Sequence, residues 1–297
     1  MALHNDPLWP RAGRWVSDAP SIDFGIIGVP TWSTSITPGS TNLTPAAVRE
    51  ALPRYSEMSF GPFGARSADQ FERADFGDIA NPDDDEDAAT SEIAAASRRT
   101  RLLVAIGGDN ALTVPVARGV WGDEVATAGL ITVDAHLDVR TGRSNGSPVR
   151  RLVEEFGVNP ERIVQIGIAE FANSVDYMER VASWGVTVIT RDEVECDGVE
   201  AAVARALTIA GSAGGPIHVD LDIDACDRSV APACPASIPG GLTAREMRRF
   251  ARLFARSEQV RSIDLAEVDA ALDSADGRTV RLTALCVLEA LAGLAER

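Results

Sequence analysis

Short apolar, β-branched runs recur along the chain at 24–30 (FGIIGVP), 101–108 (RLLVAIGG), 129–136 (GLITVDAH), 162–170 (RIVQIGIAE), 185–191 (GVTVITR), 216–224 (PIHVDLDID) and 260–268 (VRSIDLAEV). Continuous runs of this length predict strands buried on both faces. Between them lie segments of helical character at 44–52, 85–99, 173–185, 199–211, 243–256 and 279–296. The segment at 243–256 opens with Thr243 followed three residues later by Glu246, a capping-box pattern. Strand and helix alternating from end to end predict a mostly parallel sheet covered by helices on both faces. The expectation is therefore an α/β protein, a three-layer αβα sandwich formed as a single domain over residues 1–297. GDIANPDDDEDAA (77–89) and AGSAGGP (210–216) read as loops within that alternation. Residues 1–20, with Trp9, Pro10 and Trp15, read as an arm that packs on the domain or on a neighbouring subunit.

Composition changes this picture little: 45% apolar and 24% charged residues suit a folded chain with a sizeable core. Charge narrows the function. Acidic residues outnumber basic ones 44 to 28, a formal charge of −16, so the chain repels phosphate backbones and anionic membrane surfaces. Nucleic acid and membrane are excluded as expected partners, leaving a small-molecule substrate. The N-terminus has no basic start leading into an apolar core, and no apolar run approaches the roughly 18 residues of a membrane span, so the expected location is cytoplasmic. Cys196, Cys226, Cys234 and Cys286 show no CxxC spacing and read as buried or free thiols.

Candidate chemistry collects where the strand-like runs end, the usual place for ligands in open α/β sheets. After LITV come Asp134, His136 and Asp138; in a continuing strand these would point to one side. After IHV come Asp222 and Asp224, with Asp220 before them and Asp227 after. Carboxylates gathered at one rim repel each other unless a cation neutralises them. A single imidazole among many carboxylates points to an oxygen-preferring ion, Mn2+ before Zn2+. Two such ions, bridged ~3.5–4 Å apart, would acidify a shared water into a nucleophile. Alone, an Asp-x-Asp at a strand end is more often a turn or helix cap. Two clusters, each closing an apolar strand, favour the metal. His218, inside a strand, reads as a satisfied core histidine, and His4 as an exposed one.

GGDN (107–110), DAHLD (134–138) and DLDIDACDRSVAPACPASIPGG (220–241) resemble, in this order and spacing, the ureohydrolase superfamily of arginase, agmatinase and formimidoylglutamase. The resemblance runs from GVPTWSTSITPGSTNLTPAAVREAL (28–52) to SIDLAEVDA (262–270). It implies a three-layer αβα fold and two Mn2+ ions bridged by a hydroxide that attacks an amidine or guanidine carbon. By the same resemblance Asp134 and Asp222 would bridge, His136 and Asp224 would complete one metal, and Asp138 would serve the other. Glu267 matches the acid that pairs with the cationic amidinium. Asn110 departs from the pattern, since the superfamily usually has a histidine ligand there. A neutral amide is a weaker donor than imidazole for a transition ion, so one tight and one weak metal position are expected.

The substrate is read from TGRSNGSPVRRLVEE (141–155). Where agmatinases and arginases carry a proton-transferring histidine before glycine, this chain has Asn145-Gly146. Its Asp138-Val139-Arg140, followed by SNGSP, is closer to formimidoylglutamases. Independently, Arg140, Arg143, Arg150 and Arg151 concentrate in one stretch of an acidic chain, and arginine suits forked recognition of carboxylates. Arg150 and Arg151 could equally line a solvated helix face. The expected substrate contacts are Arg140, Arg143, Ser144, Asn145 and Glu267. The expected activity is hydrolysis of N-formimino-L-glutamate to L-glutamate and formamide, a step of histidine breakdown, with Asp138 passing a proton to the leaving amine. Two alternatives stand: an agmatinase or guanidino-acid hydrolase releasing urea, for which PASIPGG (235–241) speaks, and a non-catalytic relative with an impaired metal site. The resemblance also implies a homo-oligomer, trimer or hexamer.

Overall fold

The computed structural model describes residues 6–61 and 64–297; the expectation for His4 lies outside them. In chain order the strands are β1 (Ile22–Val29), β2 (Met58–Gly61), β3 (Gly64–Ser67), β4 (Arg73–Asp78), β5 (Thr100–Gly107), β6 (Gly129–Val133), β7 (Ile163–Ile168), β8 (Thr187–Thr190), β9 (Ile217–Asp222) and β10 (Val260–Ala266). The helices are α1 (Thr44–Ala51), α2 (Glu86–Arg98), α3 (Thr113–Trp121), α4 (Pro148–Glu154), α5 (Val175–Trp184), α6 (Arg191–Asp197), α7 (Val199–Ala210), α8 (Ala244–Ala255) and α9 (Arg278–Leu294). Each of the seven apolar runs forms a strand. β4 and the β2–β3 hairpin were not legible. β4 reads RADFGD because it is an edge strand, and Arg49 of α1 pairs with its Asp75 at 2.7 Å.

Eight strands form one sheet in the order β4-β1-β5-β10-β9-β6-β7-β8, with every registered pair parallel. The two faces differ. One packs as a continuous apolar core in which Phe24, Leu102, Val104, Ile131, Val219 and Ile263 meet α1, α7, α8 and α9. α8 supplies Met247, Phe250, Ala251 and Phe254, spaced to share one side of the helix, and the expected Thr243–Glu246 capping box holds its start. The opposite face carries two separate apolar clusters. One joins α2 and α3 to β1 and β5; the other joins α3, α4 and α5 to β6 and β7. Polar residues of β6, β7, β9 and β10 lie between them.

Trp15 of the N-terminal arm is buried, donates from Nε1 to Glu57 at 2.6 Å and meets Phe24 edge-on. The arm thus packs on its own chain there. Among the described residues, no helix is long and apolar enough to cross a membrane.

Candidate metal centre and active site

The four central strands, β5, β10, β9 and β6, end at one rim, and each delivers a polar group there. β5 stops at Gly107-Gly108. The chain crosses Thr31 so closely that a Cβ on Gly108 would lie 1.9 Å from the Thr31 carbonyl oxygen, which requires glycine. The next residue, Asp109, accepts from Ser35 Oγ at 2.7 Å and ties β5 to the loop before α1. Asn110 follows and is buried.

DAHLD does not continue β6, which ends at Val133. Its residues instead form a loop in which Asp134 accepts the His136 backbone N–H at 2.7 Å, and Asp138 has φ 52°. β9 ends similarly: Asp222 accepts the Asp224 backbone N–H at 2.8 Å. Asp134 and Asp222 are therefore turn formers, each using one oxygen for the turn. Asp134 Oδ2 and Asp224 Oδ1 are buried with no hydrogen-bond partner. His136 Nδ1 stands 3.3 Å from Asp134 and 3.2 Å from Asp224, and the ligand atoms of these three residues lie within 4.8 Å of one another.

The electrostatics describe a place for positive charge. Burial opposes charging the His136 ring, but Asp224 and Asp134 outweigh it and hold its pKa up to about 12. Burial and the adjacent Asp224 raise the Asp134 carboxyl to about 6. Asp138 and Asp222 are also raised well above the ordinary carboxylate range, first by burial and then by Asp134 and Asp224 respectively. Orphaned carboxylate oxygens around one imidazole fit a cation bound by nitrogen and oxygen.

Asn110 occupies the other side. Its Nδ2 donates to Asp138 Oδ2 at 2.6 Å, and its Oδ1 accepts from Thr113 Oγ1 at 2.6 Å. Glu267 follows β10 with φ 64° and is buried; its Oε1 accepts from the Asn110 backbone and from Asn145 Nδ2, both at 2.7 Å. Among the described residues no donor reaches Oε2. Burial, with Asp224 and Asp109 nearby, raises the Glu267 carboxyl to about 8, a shift that an arriving cation reverses.

These groups line a cavity of about 520 Å3 that includes Asn110, His136, Asp138, Asp222, Asp224 and Glu267. Arg140 and Asn145 line it too. Arg140 lies across Gly146, where a Cβ would come within 2.7 Å of the arginine Cδ. Among the described residues its guanidinium has no acidic partner.

Arg143 and Ser144, expected on the substrate, do not line this cavity. Arg143 donates to Glu86 at 2.8 Å, and Ser144 is held in a turn by Ser147. Arg151 is buried in a two-pronged contact with the same Glu86, while Arg150 reaches Glu154 and the carbonyls of Arg140 and Gly142. Of the four clustered arginines, Arg140 alone lines the cavity among the described residues. Asp227 arranges its own loop, accepting from Ser229 and Gly240. Sequence reasoning missed Asn173, which accepts from Leu137 N–H and donates to the Ala135 carbonyl, clamping the DAHLD loop. It also missed Phe171 and Tyr177 on the cavity wall. Asn173 stands where a helix-like segment begins, where a capping role is the ordinary reading.

Residues 22–293 match the arginase family. The formimidoylglutamase of Halalkalibacterium halodurans is 30% identical over 289 residues, covering 93% of this chain and 89% of that protein. The crystal structure of formimidoylglutamase from Bacillus subtilis superposes with a TM-score of 0.88 at 27% identity, over 98% of this chain and 94% of that one. Trypanosoma cruzi formiminoglutamase, crystallised with Mn2+, superposes with a TM-score of 0.85 at 24% identity, over 95% and 97% of the two chains, and bears on the fold alone. Matched over nearly its whole length, and carrying that family's acid and histidine clusters at the rim of a parallel sheet, the chain belongs to the arginase family.

Proposed function

We propose that this protein hydrolyses N-formimino-L-glutamate to L-glutamate and formamide, using two manganese ions held at the strand rim. The observation that carries the reading is the cavity itself: an acid with a free oxygen, Glu267, and an arginine without an acidic partner, Arg140, line the same space. A substrate cationic at its formimino end and doubly anionic at the other matches both.

His136, Asp134, Asp222 and Asp224 would hold one ion; Asp138, with Asn110 beside it, would hold a second, weaker one, and Asp134 and Asp222 would be shared. Ions there would supply Lewis acidity and an acidified water at neutral pH. The protein's own groups do the rest. Glu267 Oε2 receives the amidinium, held in place by the two donors on Oε1. Arg140 takes a substrate carboxylate, and Asn145 orients Glu267 while its amide oxygen accepts the Ile36 N–H at 3.0 Å. In this reading Asp138 passes a proton to the departing amine. The resemblance further supports assembly as a trimer or hexamer.

The test is formamide and glutamate release with Mn2+ present, beside urea release from agmatine and guanidino acids. Formamide release is expected, and Arg140→Ala is expected to raise KM about 10–100-fold with kcat little changed, since a charge-assisted pair contributes roughly 1.5–3 kcal/mol. Turnover of guanidino compounds alone would assign the cavity to urea release. No metal uptake and no turnover would make the chain a non-catalytic relative.

A further inference from the structure

On the sheet face with two apolar clusters, Gln165, Thr132, Asp220 and Asp264 stand in register on the adjacent strands β7, β6, β9 and β10. All four are at most 1% exposed. Gln165 Oε1, Thr132 Oγ1, both carboxylate oxygens of Asp220 and Oδ1 of Asp264 have no hydrogen-bond partner among the described residues. The remaining polar atoms of this row are engaged. Gln165 Nε2 donates to the Leu137 carbonyl at 2.7 Å, and Asp264 Oδ2 meets His218 Nε2 at 3.1 Å, while His218 Nδ1 meets Ser262 Oγ at 2.7 Å. The row lies one step below the rim, since Asp134 and Asp222 come two residues after Thr132 and Asp220.

A buried acceptor without a donor is costly, and an unpaired buried carboxylate more so. Five such oxygens side by side, interrupting the apolar packing of this face, need an occupant that attracts oxygen. We propose that this row is a second cation site, holding an alkali-metal ion, Na+ or K+, between Asp220, Asp264, Thr132 and Gln165. The donors are all oxygen, which suits a hard cation and not one that seeks imidazole or thiolate. They are two carboxylates, one of them also engaged by His218, and two neutral oxygens; all are enclosed, and since Mg2+ gives up its water shell reluctantly, an alkali ion fits the row better. Such an ion sets the spacing of β6 and β9, the strands that deliver Asp134 and Asp222. The proposal does not depend on which amidine is cleaved.

The test compares melting midpoints of the manganese-loaded protein in KCl, NaCl and choline chloride at equal ionic strength. One alkali salt should raise the midpoint over choline by at least about 2 °C, saturating with concentration. Asp220→Asn and Thr132→Val should each abolish the difference; the second removes an oxygen without changing charge, so it serves if the first fails to fold. Crystals grown in rubidium chloride should place an anomalous peak among the four residues. Equal midpoints in all three salts overturn the proposal, as does an alkali effect that survives both substitutions or a rubidium peak elsewhere. A proton shared by Asp220 and Asp264 then neutralises the row.

Discussion

The two sides of the candidate metal centre are built on opposite terms. On the His136 side, Asp134 and Asp224 crowd one ring from 3.3 and 3.2 Å and each keeps a buried oxygen with nothing to accept from. That side keeps two carboxylate oxygens unsatisfied even beside a charged ring. On the Asn110 side, the amide already donates to Asp138 and accepts from Thr113, and its backbone N–H is taken by Glu267. That side satisfies itself. A cation entering beside Asp138 would have to turn the amide to face it with its oxygen and break the Thr113 bond. The His136 side brings three ligand atoms within 4.8 Å of one another; the Asn110 side offers a weaker donor and must also give up internal bonds.

The strongest way to break the comparison is at its charged side. His136→Ala leaves Asp134 and Asp224 facing each other with no group between them. Manganese affinity on that side and turnover should each fall at least about 100-fold, since even the loss of a ligand's supporting partner costs 10–100-fold. A manganese titration monitored by calorimetry reads the first and formamide release the second. Retention of two ions with unchanged affinity would remove His136 from the ligand set.

Asn110→His should sharpen the contrast from the other side. Imidazole is the better donor for a transition ion and does not need the Thr113 bond broken. The weaker manganese step should tighten about tenfold, or 1.4 kcal/mol, drawing the two steps of the titration together. An unchanged weak step would place Asn110 outside the metal's reach.

How much of this was legible from sequence follows the same logic of local against distant partners. The strands and the acids at their ends could be read because each apolar run and its closing motif are contiguous. α3 contains Pro115 and Gly119, and α4 and α6 are seven residues each, too short or interrupted to show helical periodicity. The arginine stretch misled for a different reason. Arg143 and Arg151 find Glu86 at the start of α2, more than fifty residues earlier in the chain, and no local pattern announces that pairing. The buried polar row is the extreme case. Thr132 and Gln165 sit inside runs read as apolar strands, and only strand register sets them beside Asp220 and Asp264.

The smallest effect tests whether the self-satisfied side owes its weakness to the Thr113 bond. Thr113 is fully buried, and among the described residues its hydroxyl donates to Asn110 alone. Thr113→Val keeps the shape and removes the donor that holds Asn110 Oδ1 away from Asp138. A neutral hydrogen bond contributes about 0.5–1.5 kcal/mol net, so the freed amide should bind the weaker manganese a few-fold more tightly while the His136 side stays unchanged. The opposite sign is informative: if the weak step loosens, Thr113 positions the amide for the ion, and the weakness then belongs to the neutral donor itself.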